Sequence, residues 1–99
     1  MSLYYDRAGQ PITSIQWAEL LVPENQRVAR SEVGEAVVAT VWLGLDHNFD
    51  DDGPPLIFET MIFGGTLNQQ QWRYSTEAEA RAGHEHAVKL ARAAAGESA

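Results

Sequence analysis

The chain has no cysteine, which excludes a disulfide framework, a thiolate metal site and a cysteine nucleophile. It is also short of positive charge. Six arginines and one lysine, Lys89, stand against fourteen acids, for a formal net charge of -7. A nucleic-acid binder needs clustered cations to displace counterions, and the sequence has no basic cluster, so direct nucleic-acid binding is not expected. An acidic surface suits solubility or a basic protein partner. No apolar run approaches the roughly 20 residues that cross a bilayer, and no membrane association is expected. Met1 to Arg7 lacks the cationic stretch and apolar run of a signal peptide, so the expected location is the cytoplasm. A phosphate-binding loop, a G-x-G-x-x-G fingerprint and a G-x-S-x-G elbow are all missing. Gly64-Gly65 alone reads as a turn, and no cofactor is expected.

What is present reads as one α+β domain over residues 1–99, with 96–99 as a frayed tail. The hydrophobic fraction is 44% and nine residues are aromatic, ordinary for a globular chain and too high for disorder. Tyr4 to Pro11 reads as a short extended piece ending in a turn. Thr13 and Gln16 have capping-box spacing, flanked by Ile12 and Trp17 as a hydrophobic staple. That predicts a short helix over Ser14 to Leu21, stopped by Pro23. Strands are predicted over Arg27 to Val33, Ala36 to Leu45, Leu56 to Phe63 and around Trp72 to Tyr74, joined in order as an antiparallel meander. Ser75 or Thr76 caps a long helix to about Ala95, with Ala80, Gly83, His84, Ala87, Leu90, Ala91 and Ala94 on one stripe and Glu77, Glu85, Lys89 and Arg92 facing water. The predicted fold is a four-stranded antiparallel meander sheet, a long C-terminal helix on one face and a short N-terminal helix nearby.

Alternation within the strands predicts where function sits. Leu56, Phe58, Thr60 and Ile62 form a charge-free set expected to face the long helix, together with Val41 and Leu43. The opposite face is then expected to carry Val38, Trp42, Ile57, Met61 and Phe63, with Glu59 and Asp46 towards its rim. That is a large apolar area for a monomer to leave wet. The short helix, through Trp17, Leu20 and Leu21, is one possible cover. A partner surface, most simply a second copy in a two-fold dimer, is the other. The three tryptophans read as core or interface anchors.

Two constellations have chemical potential. Asn48-x-Asp50-x-Asp52-Gly53, followed after five residues by Glu59, matches the twelve-position EF-hand loop except for Asn in place of the first Asp. Alternating oxygens, a turn glycine and a closing carboxylate suit Ca²⁺. No flanking helices are predicted, however, and Pro55 falls where the loop needs a backbone N–H. The expected reading is an acidic hairpin loop with no bound metal. Separately, Asp46, His47, Glu59 and His84 could supply acid–base or metal chemistry. Alternation places Glu59 and His84 on opposite sides of the sheet, and Asp46 and His47 on opposite faces. His84 and His86, about 200° apart on a helix, cannot chelate one ion. His84 reads instead as a core histidine with a satisfied hydrogen bond.

The segments T-V-W-L-G-L-D-H (from Thr40), G-P-P-L-I-F-E-T-M-I-F-G-G (from Gly53) and W-R-Y-S-T-E-A-E-A-R-A-G-H-E (from Trp72), with the N-terminal Y-Y-D-R-A-G-Q-P-I, resemble a group of small proteins of unassigned activity encoded by actinobacterial phages and prophages. The resemblance covers most of the chain and carries no site residue over. It implies a phage accessory protein working in a bacterial cytoplasm. The expected function is therefore non-enzymatic binding of a host protein or a small ligand, as a homodimer. The alternatives are a small metal-dependent hydrolase or a structural component of the virion.

Overall fold

The computed structural model describes residues 3–48 and 53–96. A small hairpin, β1 (Tyr4–Tyr5) and β2 (Pro11–Ile12), leads into helix α1 (Ser14–Leu20) and a single-turn helix α2 (Pro23–Gln26). Strands β3 (Arg27–Val33), β4 (Ala36–Trp42), β5 (Phe58–Phe63) and β6 (Gln71–Tyr74) follow, then helix α3 (Glu77–Ala94). The four long strands form one antiparallel sheet in the order β3-β4-β5-β6, with α3 packed against all four. The α+β meander expected from the strand pattern is the observed architecture.

Local chemistry accounts for both helix starts. Thr13 Oγ1 accepts from the Gln16 N–H at 3.1 Å while the Gln16 side chain accepts from the Thr13 N–H at 2.9 Å. Thr76 and Glu79 repeat this arrangement at the start of α3, so each helix satisfies backbone donors that its first turn would otherwise leave unpaired. Pro23 ends α1 but also starts α2, because a residue without an N–H suits the first helical position. That short turn is absent from the sequence-based expectation. Glu77, expected in water, instead joins α3 to the N-terminal hairpin through Arg7 at 2.8 Å. Arg7 Nη1 also donates to the backbone oxygens of Asn25 and Arg27.

Burial follows side-chain size. One cluster gathers Val33, Ala36, Val38 and Ile62 under Ala87, Val88 and Ala91 of α3. The other gathers Trp42, Ile57, Phe58 and Ala80, with Trp17, Leu20 and Leu21 packed against it. Small residues let α3 approach closely. A Cβ at Gly83 would overlap the ring and hydroxyl of Tyr74, so only glycine fits there without movement. Gly44, with φ +72° and the Trp17 and Trp42 rings against it, lets the chain leave β4 between two indoles.

The assignment of faces on β4 requires correction. Cα partners in an antiparallel ladder project side chains to the same face. The pairs Val38↔Ile62, Thr40↔Thr60 and Trp42↔Phe58 put Val38, Thr40 and Trp42 on the helix side, where all three are buried. Val38, Trp42 and Ile57, expected on a docking face, are core residues with 0%, 1% and 0% of their surface exposed. Val41, expected under the helix, lies on the opposite side with Glu59. Phe58, Thr60 and Ile62 face the helix as expected, and Met61, Phe63 and Glu59 face away. The alternation of β4 could not decide this, because both of its faces are largely apolar. Volume decides it: Trp42 fills the helix side, while Val37, Ala39 and Val41 make a shallow outer face.

Candidate functional site

The face turned away from α3 is the candidate site. The ladder brings Val37 beside Glu32 and Phe63, Ala39 beside Arg30 and Met61, and Val41 beside Arg27 and Glu59. Gln71 and Arg73 of β6 extend it past Met61 and Glu59. Phe63 is 47% exposed, and Val37, Ala39, Val41 and Met61 are half-buried among their strand neighbours. None of these five packs against either core cluster. The short helix is not their cover: Trp17, Leu20 and Leu21 go to the Trp42 cluster, which also holds Ala80 of α3. Among the described residues the outer face is one sheet deep and open.

Its charge differs from that of the rest of the molecule. Arg27, Arg30 and Arg73 share it with Glu32 and Glu59. That is three of the seven cations and two of the fourteen acids. The rest of the sequence holds four cations and twelve acids. Glu59 Oε2 accepts from Arg73 Nε at 3.1 Å, with 15% of the Glu59 side chain exposed. Arg30 and Glu32 make a longer, exposed pair at 3.6 Å, worth well under about 1 kcal/mol.

On the helix side lies a buried polar chain. His84, 3% exposed, has Nε2 at 2.9 Å from Ser31 Oγ and Nδ1 at 2.8 Å from Thr40 Oγ1, which is 2.6 Å from Thr60 Oγ1. Burial pushes the imidazole below its ordinary pKa, with a smaller opposing pull from Glu85. Serine and imidazole are within proton-transfer reach, but a threonine hydroxyl stands where a hydrolase places the carboxylate that stabilises imidazolium. The chain therefore reads as a satisfied polar core, as expected for His84. Thr40 and Thr60 were missed as its partners. The available signal was one polar residue within β4 and one on the charge-free face of β5.

The residues of the hydrolase alternative are not brought together. His84 and Glu59 lie on opposite sides of the sheet. His47 Nδ1 is held by the Leu45 carbonyl beyond the end of β4, at 2.8 Å. Asp46 accepts from the backbone N–H groups of Asn48 and Leu56, at 2.8 and 2.9 Å, closing the base of the acidic loop. Asp46 is thus an anchor of that loop. Of the calcium pattern, Asp50 and Asp52 lie outside the described residues. Asn48 Nδ2 donates to the Pro54 carbonyl at 3.1 Å, and Glu59 is engaged by Arg73. Among the described residues no three His, Asp or Glu side chains are grouped to hold a metal ion, and no helix is long and apolar enough to cross a membrane.

Two clefts lie elsewhere among the described residues. One, of about 250 Å³, lies between the end of α3 and the turns at Gly34 and Gly64. The other, of about 370 Å³, is lined by Asp6, Arg7, Ala8, Leu20, Asn25 and Trp42. Its polar groups already serve the fold: Arg7 holds Glu77, and Asp6 accepts from the N–H groups of Ala8 and Gln10. Comparison with protein-family models, curated proteins and solved structures finds no match.

Proposed function

We propose that this chain works by binding rather than by catalysis, as an accessory protein of the phage kind its sequence resembles, and that the outer face of the sheet is its contact surface. One observation carries the reading. Five apolar side chains, Val37, Ala39, Val41, Met61 and Phe63, line one face with no layer of the described residues packed on it. A contiguous apolar patch rimmed by charge marks an association surface more often than idle exposure. The partner class comprises a second copy, a host protein, or a small ligand held between copies.

The test is affinity capture from a bacterial lysate on the native chain and on Met61→Lys, each first shown to be folded by circular dichroism. The reading expects a protein or small molecule retained by the native chain and lost by the variant, or self-association that the variant abolishes. A native chain that is monomeric and retains nothing overturns it, as does capture that Met61→Lys leaves unchanged.

A further inference from the structure

We infer that the occupant of the outer face is a second copy of this chain, packed sheet against sheet about a two-fold axis. This rests on the binding reading above and names its partner. Two observations select a copy over other occupants.

The first is charge. The face carries three cations and two acids, whereas the rest of the sequence carries four cations and twelve acids. Two copies approaching through acidic surfaces add close-range repulsion to that of their net charges, whereas through this face, which is near neutral, only the longer-range repulsion of the acidic remainder opposes them. Because both signs are present on it, a two-fold contact can set Arg30 or Arg73 of one copy against Glu32 or Glu59 of the other, as an isologous interface requires. A basic partner protein would be drawn to the acidic remainder instead.

The second is shape. The molecule measures 45 × 29 × 20 Å, and α3 packs on one side of the sheet. Stacking a second sheet on the open face adds the missing layer. Strand rise and spacing make that face roughly 20 Å by 20 Å, so two copies bury on the order of 1,000 Å². This falls below the roughly 1,200–2,000 Å² of stable specific contacts and implies a weak, reversible dimer rather than an obligate one.

Sedimentation of the full chain from micromolar to sub-millimolar concentration tests this, at low and high salt. A monomer–dimer equilibrium is expected that tightens as salt rises, because screening relieves the repulsion between two copies of net charge -7 by more than it weakens the few exposed pairs across the seam. Met61→Lys sets a cation on each side of the seam and should weaken the dimer at least about tenfold. Val41→Thr keeps β propensity, should weaken it several-fold, and decides the matter if Met61→Lys does not fold. A monomer at every concentration overturns the inference, as does a dimer indifferent to the substitutions or one that salt dissociates. A monomer that captures a lysate partner through Met61 would overturn the copy and leave the binding reading intact.

Discussion

His84 is held between the hydroxyls of Ser31 and Thr40, and burial keeps its imidazole below the ordinary value of 6.5. Between that depressed folded value and the unfolded one, the unfolded chain binds more protons than the folded chain. This contribution to stability is therefore complete above 6.5 and declines as pH falls through the window below it. Urea unfolding at neutral and mildly acidic pH should show the native midpoint falling with acidity. His84→Leu should cost about 1–3 kcal/mol at neutral pH, because buried hydroxyls lose their partner, and should flatten the acid dependence. An unchanged slope in the variant contradicts this account of the core. Gly83 offers a test of opposite tendencies. Alanine there gains up to about 1 kcal/mol of helix propensity, but its methyl group overlaps the Tyr74 ring, and overpacking costs about 1–3 kcal/mol. Gly83→Ala should lower the melting temperature; a rise would mean that Tyr74 moves aside freely.

The start of α3 depends on two separate devices. Thr76 caps it, and Thr76→Ala should cost about 1 kcal/mol in denaturant unfolding. Glu77 ties it to the hairpin: the Arg7 hydrogen bond, with further help from Arg81, outweighs partial desolvation and holds the carboxyl below its usual 4.5. A depressed acid stabilises above its unfolded pKa and loses that contribution as pH falls through the folded one. Glu77→Gln should therefore lower stability near neutrality and show a shallower loss than the native chain below 4.5; parallel curves would contradict the clamp.

These termini also show which features were legible in advance. The Thr13–Gln16 capping box, the cap at Ser75 or Thr76 and the Pro23 stop are written in neighbouring residues, so both main helices could be read directly. The Arg7–Glu77 link spans seventy positions and leaves no local pattern. The outer face was half legible. Glu59, Met61 and Phe63 were assigned correctly because β5 has one charge-free side. Val38 and Trp42 were misplaced because β4 is apolar on both sides, and its facing depends on pairing with β5 across a connection, residues 43–57, that fixes no register; Ile57 was misplaced because β5 begins only at Phe58, so the strand alternation does not extend to it. The centred threonines Thr40 and Thr60, which must share a face to satisfy each other and His84, are the physical constraint that fixes it.

The molecule as a whole is two layers where a third would fit. Both core clusters lie on one side of the sheet, and the opposite side combines apolar residues with three cations and two acids in a chain that is otherwise acidic. The central claim is that this outer side is a contact surface and that a second copy covers it. The most direct measurement is a methyl NMR dilution series on the native chain. Signals from Val37, Ala39, Val41 and Met61 should shift together with concentration, while those of Val38, Ile62 and Ala87, buried beneath α3, remain fixed. Shifts confined to another surface, or none up to sub-millimolar concentration, would contradict it.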